Sequence, residues 1–119
     1  MLLIQYFIAL KNADAAIEAK KQGFKGKVQI MLPLVFSDHE IDYVMPTIEK
    51  ALSDACKTSE FFVEELSCEL GCMIEVPRAC LRADRISVAR GIRFVSFGSN
   101  DLTQLVLGIS RDDTQQFMV

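Results

Sequence analysis

Tryptophan is absent from this 119-residue chain, histidine occurs once, and only three prolines and six glycines are present. No low-complexity segment is present, and the composition argues against disorder. No apolar run approaches the roughly 18 residues that would suggest a membrane span. The greasy start, Met1 to Leu10, has neither a basic n-region nor a small-residue cleavage site, so it does not read as a signal peptide. Positive charge is not in excess either. Thirteen basic side chains stand against sixteen acidic ones, for a net charge of -3. The clustered basic footprint of a nucleic-acid-binding surface is therefore missing.

Cysteine is present but poorly arranged for metal. The four are Cys56, Cys68, Cys72 and Cys80, and the pattern Cys68-x3-Cys72-x7-Cys80 has no second ligand pair for zinc. The lone His39 sits far from them, beside acids. Reduced thiols in a cytoplasmic-type protein are the expectation, with an organellar location left open.

What remains is ordinary globular material, 50% apolar and 24% charged, enough for one domain over residues 1–119. Charge is uneven along it. Residues 1–35 carry five basic and two acidic side chains, residues 36–70 two basic and nine acidic, and residues 71–119 six basic and five acidic. The acidic middle is most simply a solvated helical face.

Periodicity and punctuation predict alternating elements. Met1 to Gln22 reads as a helix rich in Ala, Leu and Lys, with Gly23 as its stop. Lys27 to Val35 reads as a strand, with Pro33 tolerated near its end. Ser37 and Glu40 form a capping-box start for a second helix, which Pro46 should break before it resumes through about Lys57 and again near Phe61 to Leu66. Gly71 to Val76 is the second strand, and Pro77 suits the first turn of a helix from Arg78 to about Arg90. Ile92 to Phe97 is the third strand, and Ser99 or Asn100 can cap a last helix from Asp101 to about Leu107. Helices alternating with strands in this way imply an α/β fold with about three parallel strands. Three strands are too few for a closed (β/α)8 barrel of about 250 residues or for a doubly wound sheet. A slice of a larger fold is the expectation.

Two segments carry chemistry. In Met73-Ile-Glu-Val-Pro-Arg78, Glu75 interrupts an apolar run at the C-terminal end of a strand. In Ser96-Phe-Gly-Ser-Asn-Asp-Leu-Thr-Gln104, polar residues crowd the turn after the next strand. Glu75 and Asp101 lie 26 residues apart, about one βα unit, so both should emerge at the same end of neighbouring strands. In a barrel that end builds active sites. Two hard carboxylates there suit Mg2+, which needs only one or two of them. Gly98 allows close main-chain approach, and the amides of Ser99, Asn100 and Asp101 would open a helix N-terminus suited to a small anion. A plainer reading treats Asp101 as a helix N-terminal acid and Glu75 as a partner for Arg78.

The segments Gly71-Cys-Met-Ile-Glu-Val-Pro-Arg-Ala79 and Phe94-Val-Ser-Phe-Gly-Ser-Asn-Asp-Leu-Thr-Gln104 closely resemble the C-terminal domain of phosphoenolpyruvate-utilising enzymes. Within that family Pro77-Arg-Ala79, Ser110-Arg-Asp-Asp113 and Ile30-Met-Leu-Pro-Leu-Val35 look most like the pyruvate, phosphate dikinases. The synthases are similar around Gly98 to Leu105, and enzyme I of the sugar phosphotransferase system at both motifs.

The resemblance implies a partial (β/α)8 TIM barrel whose three strands look like the fifth, sixth and seventh. It also implies that Glu75 and Asp101 ligate Mg2+, that Asn100 contacts the substrate, and that the backbone from Gly98 to Asn100 holds its carboxylate. Met73 would line the pocket near the substrate's methyl or methylene group. The metal would act as a Lewis acid while a phosphoryl group passes between a phosphohistidine and pyruvate or phosphoenolpyruvate.

The resemblance places the family's phosphate-clamping arginines, acid cysteine and phosphocarrier histidine in other segments, so no catalytic residue is assigned within this chain. Neither His39 nor any of the four cysteines fits those motifs. Arg78 matches the family pattern but is expected to act structurally. The implied partners are the phosphohistidine and nucleotide-binding domains of a parent enzyme, with a homodimer of that parent among the expected assemblies. Neither nucleic acid nor membrane is expected as a partner. A non-catalytic remnant used for packing is the alternative from another class.

Overall fold

The computed structural model describes residues 2–110 and 113. Met1 lies outside the described residues, as do Arg111 and Asp112 of the Ser110–Asp113 segment. The order is α1 (Leu2–Lys21), β1 (Val28–Leu32), α2 (Asp38–Lys57), a 3-10 turn (Val63–Leu66), β2 (Cys68–Ile74), α3 (Pro77–Leu81), α4 (Ala83–Ser87), β3 (Ile92–Phe97) and α5 (Ser99–Leu107). The strands form one open sheet in the order β1-β2-β3, with both pairings parallel. The fold is therefore α/β, with three parallel strands alternating with helices as in a section of a (β/α)8 barrel. Among the described residues no helix is long and apolar enough to cross a membrane.

Local sequence accounts for most boundaries. Gly23 takes φ 87° after α1, and its N–H bonds the Lys20 carbonyl while that of Phe24 bonds the Ala19 carbonyl. This crossed pair needs a left-handed residue, which glycine supplies without a Cβ penalty. The Ser37 hydroxyl accepts from the Glu40 N–H at 3.3 Å, and the Glu40 carboxylate accepts from the Phe36 N–H at 3.1 Å. The predicted capping box thus forms, shifted by one residue on its return bond.

Pro46 does not break α2. The helix runs unbroken from Asp38 to Lys57, with Ile41, Val44, Met45, Ile48 and Ala51 buried along one face. Burying that face outweighs the lost main-chain bond. The predicted single helix from Arg78 to Arg90 is instead two short ones, parted at Arg82 (φ -120°, ψ 15°). The Arg82 guanidinium reaches Asp38 at 2.5 Å and 3.1 Å, a charge-assisted tie that competes with a turn of helix bonds. The last helix begins at Ser99, two residues earlier than expected, and Gly98 rather than Ser99 or Asn100 occupies the cap position.

Alternation along the strands sets two faces. Ile30 and Leu32, Leu70, Cys72 and Ile74, and Ile92 pack against α2, Ala9 of α1, Ala79 of α3 and Ile86 of α4 in one buried cluster. A smaller cluster joins Ala13, Ala16 and Ile17 of α1 to Ala55 and Cys56 of α2 and to Leu66. The Tyr6 hydroxyl donates to Asp54 at 2.8 Å and pins α1 to α2. On the other face Lys27 and Gln29 meet Glu69 at 2.5 Å and 3.2 Å. There the Phe94 ring lies against Gly71, where a Cβ would stand 2.5 Å from it.

Candidate functional site at the carboxyl ends of the strands

Register fixes the site. Ile74 at the end of β2 pairs with Phe97 at the end of β3, so Glu75 and Gly98 are the next residues out on neighbouring strands. The Gly98 N–H donates to the Ile74 carbonyl at 3.1 Å and closes the rim. Both sequence-selected acids therefore belong to the same end of the sheet: Glu75 directly after β2, and Asp101 in the first turn of α5.

Glu75 is buried, at 3% relative exposure, which is unusual for a carboxylate without a compensating partner. Its partner is the main-chain N–H of Leu34, which donates to Oε1 at 2.6 Å from the loop after β1. The plainer expectation of a Glu75–Arg78 pair is not what forms. Arg78 is exposed, and its guanidinium lies 5.9 Å from the centroid of the Phe36 ring, a cation–π contact that suits the structural role expected of it.

Gly98 leaves no room for a side chain. A Cβ built there would overlap Glu75 Oε2 and stand 2.5 Å from Glu75 Cβ and 3.1 Å from Met73 Cε. Met73, Glu75 and Gly98 are thus brought together. Ser99, Asn100 and Asp101 follow as the opening turn of α5, with Ser99 and Asn100 exposed and Asp101 partly so. The first main-chain bond of that helix runs from the Leu102 N–H to the Gly98 carbonyl at 3.0 Å. Gly98 at the cap position has no side chain to offer that turn, whose main-chain N–H groups open the helix at the rim. Such a turn favours a small anion.

Among the described residues no group of three or more His, Cys, Asp or Glu side chains is placed to hold a metal ion. A hard divalent ion that takes one or two carboxylates and completes its shell with substrate and water does not require such a group. The donor chemistry fits it. Glu75 supplies oxygen, its Oε2 lies where only glycine leaves room, and a second acid opens the neighbouring helix. The four cysteines are all free: Cys56 and Cys72 are buried in the helix-packed core, Cys68 is half-buried, and Cys80 is exposed on α3. His39 is exposed in the first turn of α2. Sequence reasoning missed Leu34, because a main-chain donor at φ 53° leaves no mark in residue type beyond the Pro33 before it.

Residues 3–119 match the family model described as PEP-utilising enzyme, PEP-binding domain. Among curated relatives, the pyruvate, phosphate dikinase of Rhizobium meliloti (strain 1021) is 42% identical over 106 residues. That of Giardia intestinalis is 38% identical over 105 residues, and pyruvate, phosphate dikinase 2 of Oryza sativa subsp. japonica 40% over 109. Each alignment takes in 88% of this chain and 11% of the relative, so the chain spans about a ninth of their length. With the rim motifs and the parallel α/β sheet in place, the chain belongs to the family of the PEP-binding domain of PEP-utilising enzymes.

Proposed function

We propose that this rim is the Mg2+-dependent half of a phosphoenolpyruvate/pyruvate site in a pyruvate, phosphate dikinase-like phosphotransferase. Glu75 and Asp101 would hold the ion, and the opening turn of α5 from Gly98 to Asn100 would take the substrate carboxylate. Asn100 adds a side-chain amide beside it, and Met73 an apolar wall for the methyl or methylene end. When bound, the ion supplies Lewis-acid stabilisation of negative charge developing on substrate oxygen. The chain's own work is to bind and orient: fixed main-chain dipoles and a fixed carboxylate cost no reorganisation when charge develops. The reading is carried by the buried Glu75, which follows β2 one residue beyond the Ile74–Phe97 pairing, next to the turn that opens α5.

The 119 residues by themselves would bind without turnover. The arginines, acid cysteine and carrier histidine that the resemblance assigns elsewhere have no counterpart in these residues, and the carrier and nucleotide domains of a parent enzyme would supply the phosphoryl group. Four free thiols suit a cytoplasmic compartment. A second reading, a module kept for assembly, draws on the sheet edges at β1 and β3 and on α5, which buries none of its residues. Titrating Mn2+ as a probe, then pyruvate, into the chain and into Glu75→Gln and Asp101→Asn separates the two. Loss of Mn2+ binding in each variant, with pyruvate perturbing the amides of Ser99 and Asn100 in the parent chain, is expected. A folded chain that binds neither sinks the proposal and favours the module.

A further inference from the structure

Leu34 is a large apolar residue in the left-handed region (φ 53°), a conformation that β-carbon crowding makes costly. The residue is 57% exposed, so core packing does not hold it there. Of the two other non-glycine residues with positive φ among the described residues, Glu60 lies just past the end of α2 and Ser67 just past the 3-10 turn, where helical segments commonly end in this way. Leu34 instead lies between a strand and a helix. Pro33 before it has no N–H, so Leu34 is the first residue after β1 able to donate. Its N–H goes to the buried Glu75 Oε1 at 2.6 Å, across 41 residues of sequence. The rest of the loop is independently pinned: Val35 is buried, the Phe36 N–H bonds Glu40, and Ser37 caps α2.

We infer that the Leu34 main-chain N–H is a positioning group for Glu75: it fixes Oε1 and leaves Oε2 as the oxygen turned toward Gly98. The strained backbone is thereby tied to the site, since an observed outlier beside a buried acid points to a local task. The role assigned to Oε2, as the oxygen offered to a divalent ion, rests on the reading proposed above. The hydrogen bond itself does not. A group that orients a ligating carboxylate acts through it, and losing such a partner typically weakens metal binding by about 10–100-fold.

The test uses the 15N-labelled full chain. Glu75→Gln is expected to move the Leu34 amide proton upfield and to speed its exchange, because a charge-assisted acceptor is replaced by a neutral one. Leu34→Val, whose branched side chain opposes positive φ, should weaken Mn2+ binding by about 10-fold or more with helix content unchanged. Leu34→Gly, which keeps the N–H and enters the left-handed region freely, should restore the binding that valine loses. A Leu34 amide indifferent to Glu75→Gln overturns the inference, even where Leu34→Val fails to fold. If that amide responds while the unaltered chain binds no Mn2+, the positioning stands and the metal reading fails.

Discussion

Replacing Gly98 with alanine puts one methyl group into the narrowest part of the rim. The backbone there (φ -87°, ψ 72°) lies on the side of the map open to any L-residue, so the cost is steric rather than conformational. The new carbon would stand 2.5 Å from Glu75 Cβ, against about 3.5–4.0 Å for carbon atoms at their best separation. About 1 Å must be found. Met73 can swing its methyl away, but Glu75 Cβ is rooted in the chain next to the end of β2. Relief must come from shifting the Gly98 turn, which also carries the 3.1 Å bond to the Ile74 carbonyl.

Overpacking of this kind costs about 1–3 kcal/mol. The lost flexibility of the unfolded chain returns about 0.4–1 kcal/mol. A net loss of about 1–2 kcal/mol would lower the urea midpoint by about 0.5–1 M at an m-value of about 2 kcal/mol/M. Gly26→Ala is the internal control. That glycine has no left-handed φ and nothing within 4 Å of its added Cβ, so only the entropic gain applies. Urea unfolding followed by circular dichroism should move the two midpoints in opposite directions. If Gly98→Ala is as stable as the parent, or both variants shift alike, the packing argument at the rim is wrong.

Two further outcomes follow from charge. Asp38, Asp54 and Glu69 are all held below the usual carboxylate range, chiefly by hydrogen bonds from Arg82, from Tyr6 and then Lys57, and from Lys27 and then Gln29. As pH falls past about 4 the unfolded chain takes up protons first, so their stabilisation is present above that range and is lost toward the lower folded-state values. Urea midpoints measured from pH 7 downward should therefore fall below about pH 4; in Arg82→Gln that acid limb should flatten, and an unchanged slope would contradict the pairing. Burial pushes the Cys56, Cys68 and Cys72 thiols up, with nearby glutamates adding to the shift at Cys56 and Cys68. A thiol-disulfide reagent at pH 7.5 to 8 should label exposed Cys80 first, and Cys80→Ser should remove the fast phase.

The sheet was legible because its strands carry their own signals. The apolar run from Lys27 to Val35 announces β1, though the strand itself covers only Val28 to Leu32, β3 is bounded as expected by Ile92 and Phe97, and Ser37 with Glu40 announces the start of α2. The second strand begins at Cys68 rather than Gly71 and ends at Ile74 rather than Val76, while the failures at Pro46 and Arg82 lie where tertiary contact overrides local preference. Proline at position 46 is a helix breaker by itself, yet it is carried by a buried stripe on either side. Arg82 sits in a helical stretch, yet it parts α3 from α4 where Asp38 holds its guanidinium. Neither competitor is visible from the neighbouring residues.

The rim divides in the same way. Glu75 is conspicuous because it interrupts an apolar run and Asp101 because it lies in the polar turn after the next strand, so both could be picked out, and parallel pairing then requires them to share an end. What orients Glu75 is a donor from a third strand's loop, 41 residues earlier, and its donor atom is one that almost every residue possesses. Side-chain identity can announce a ligand, but a main-chain hydrogen bond depends on φ, ψ and the path of the loop. Substituting Leu34 should therefore matter according to whether the new residue tolerates positive φ, and hardly at all according to its polarity.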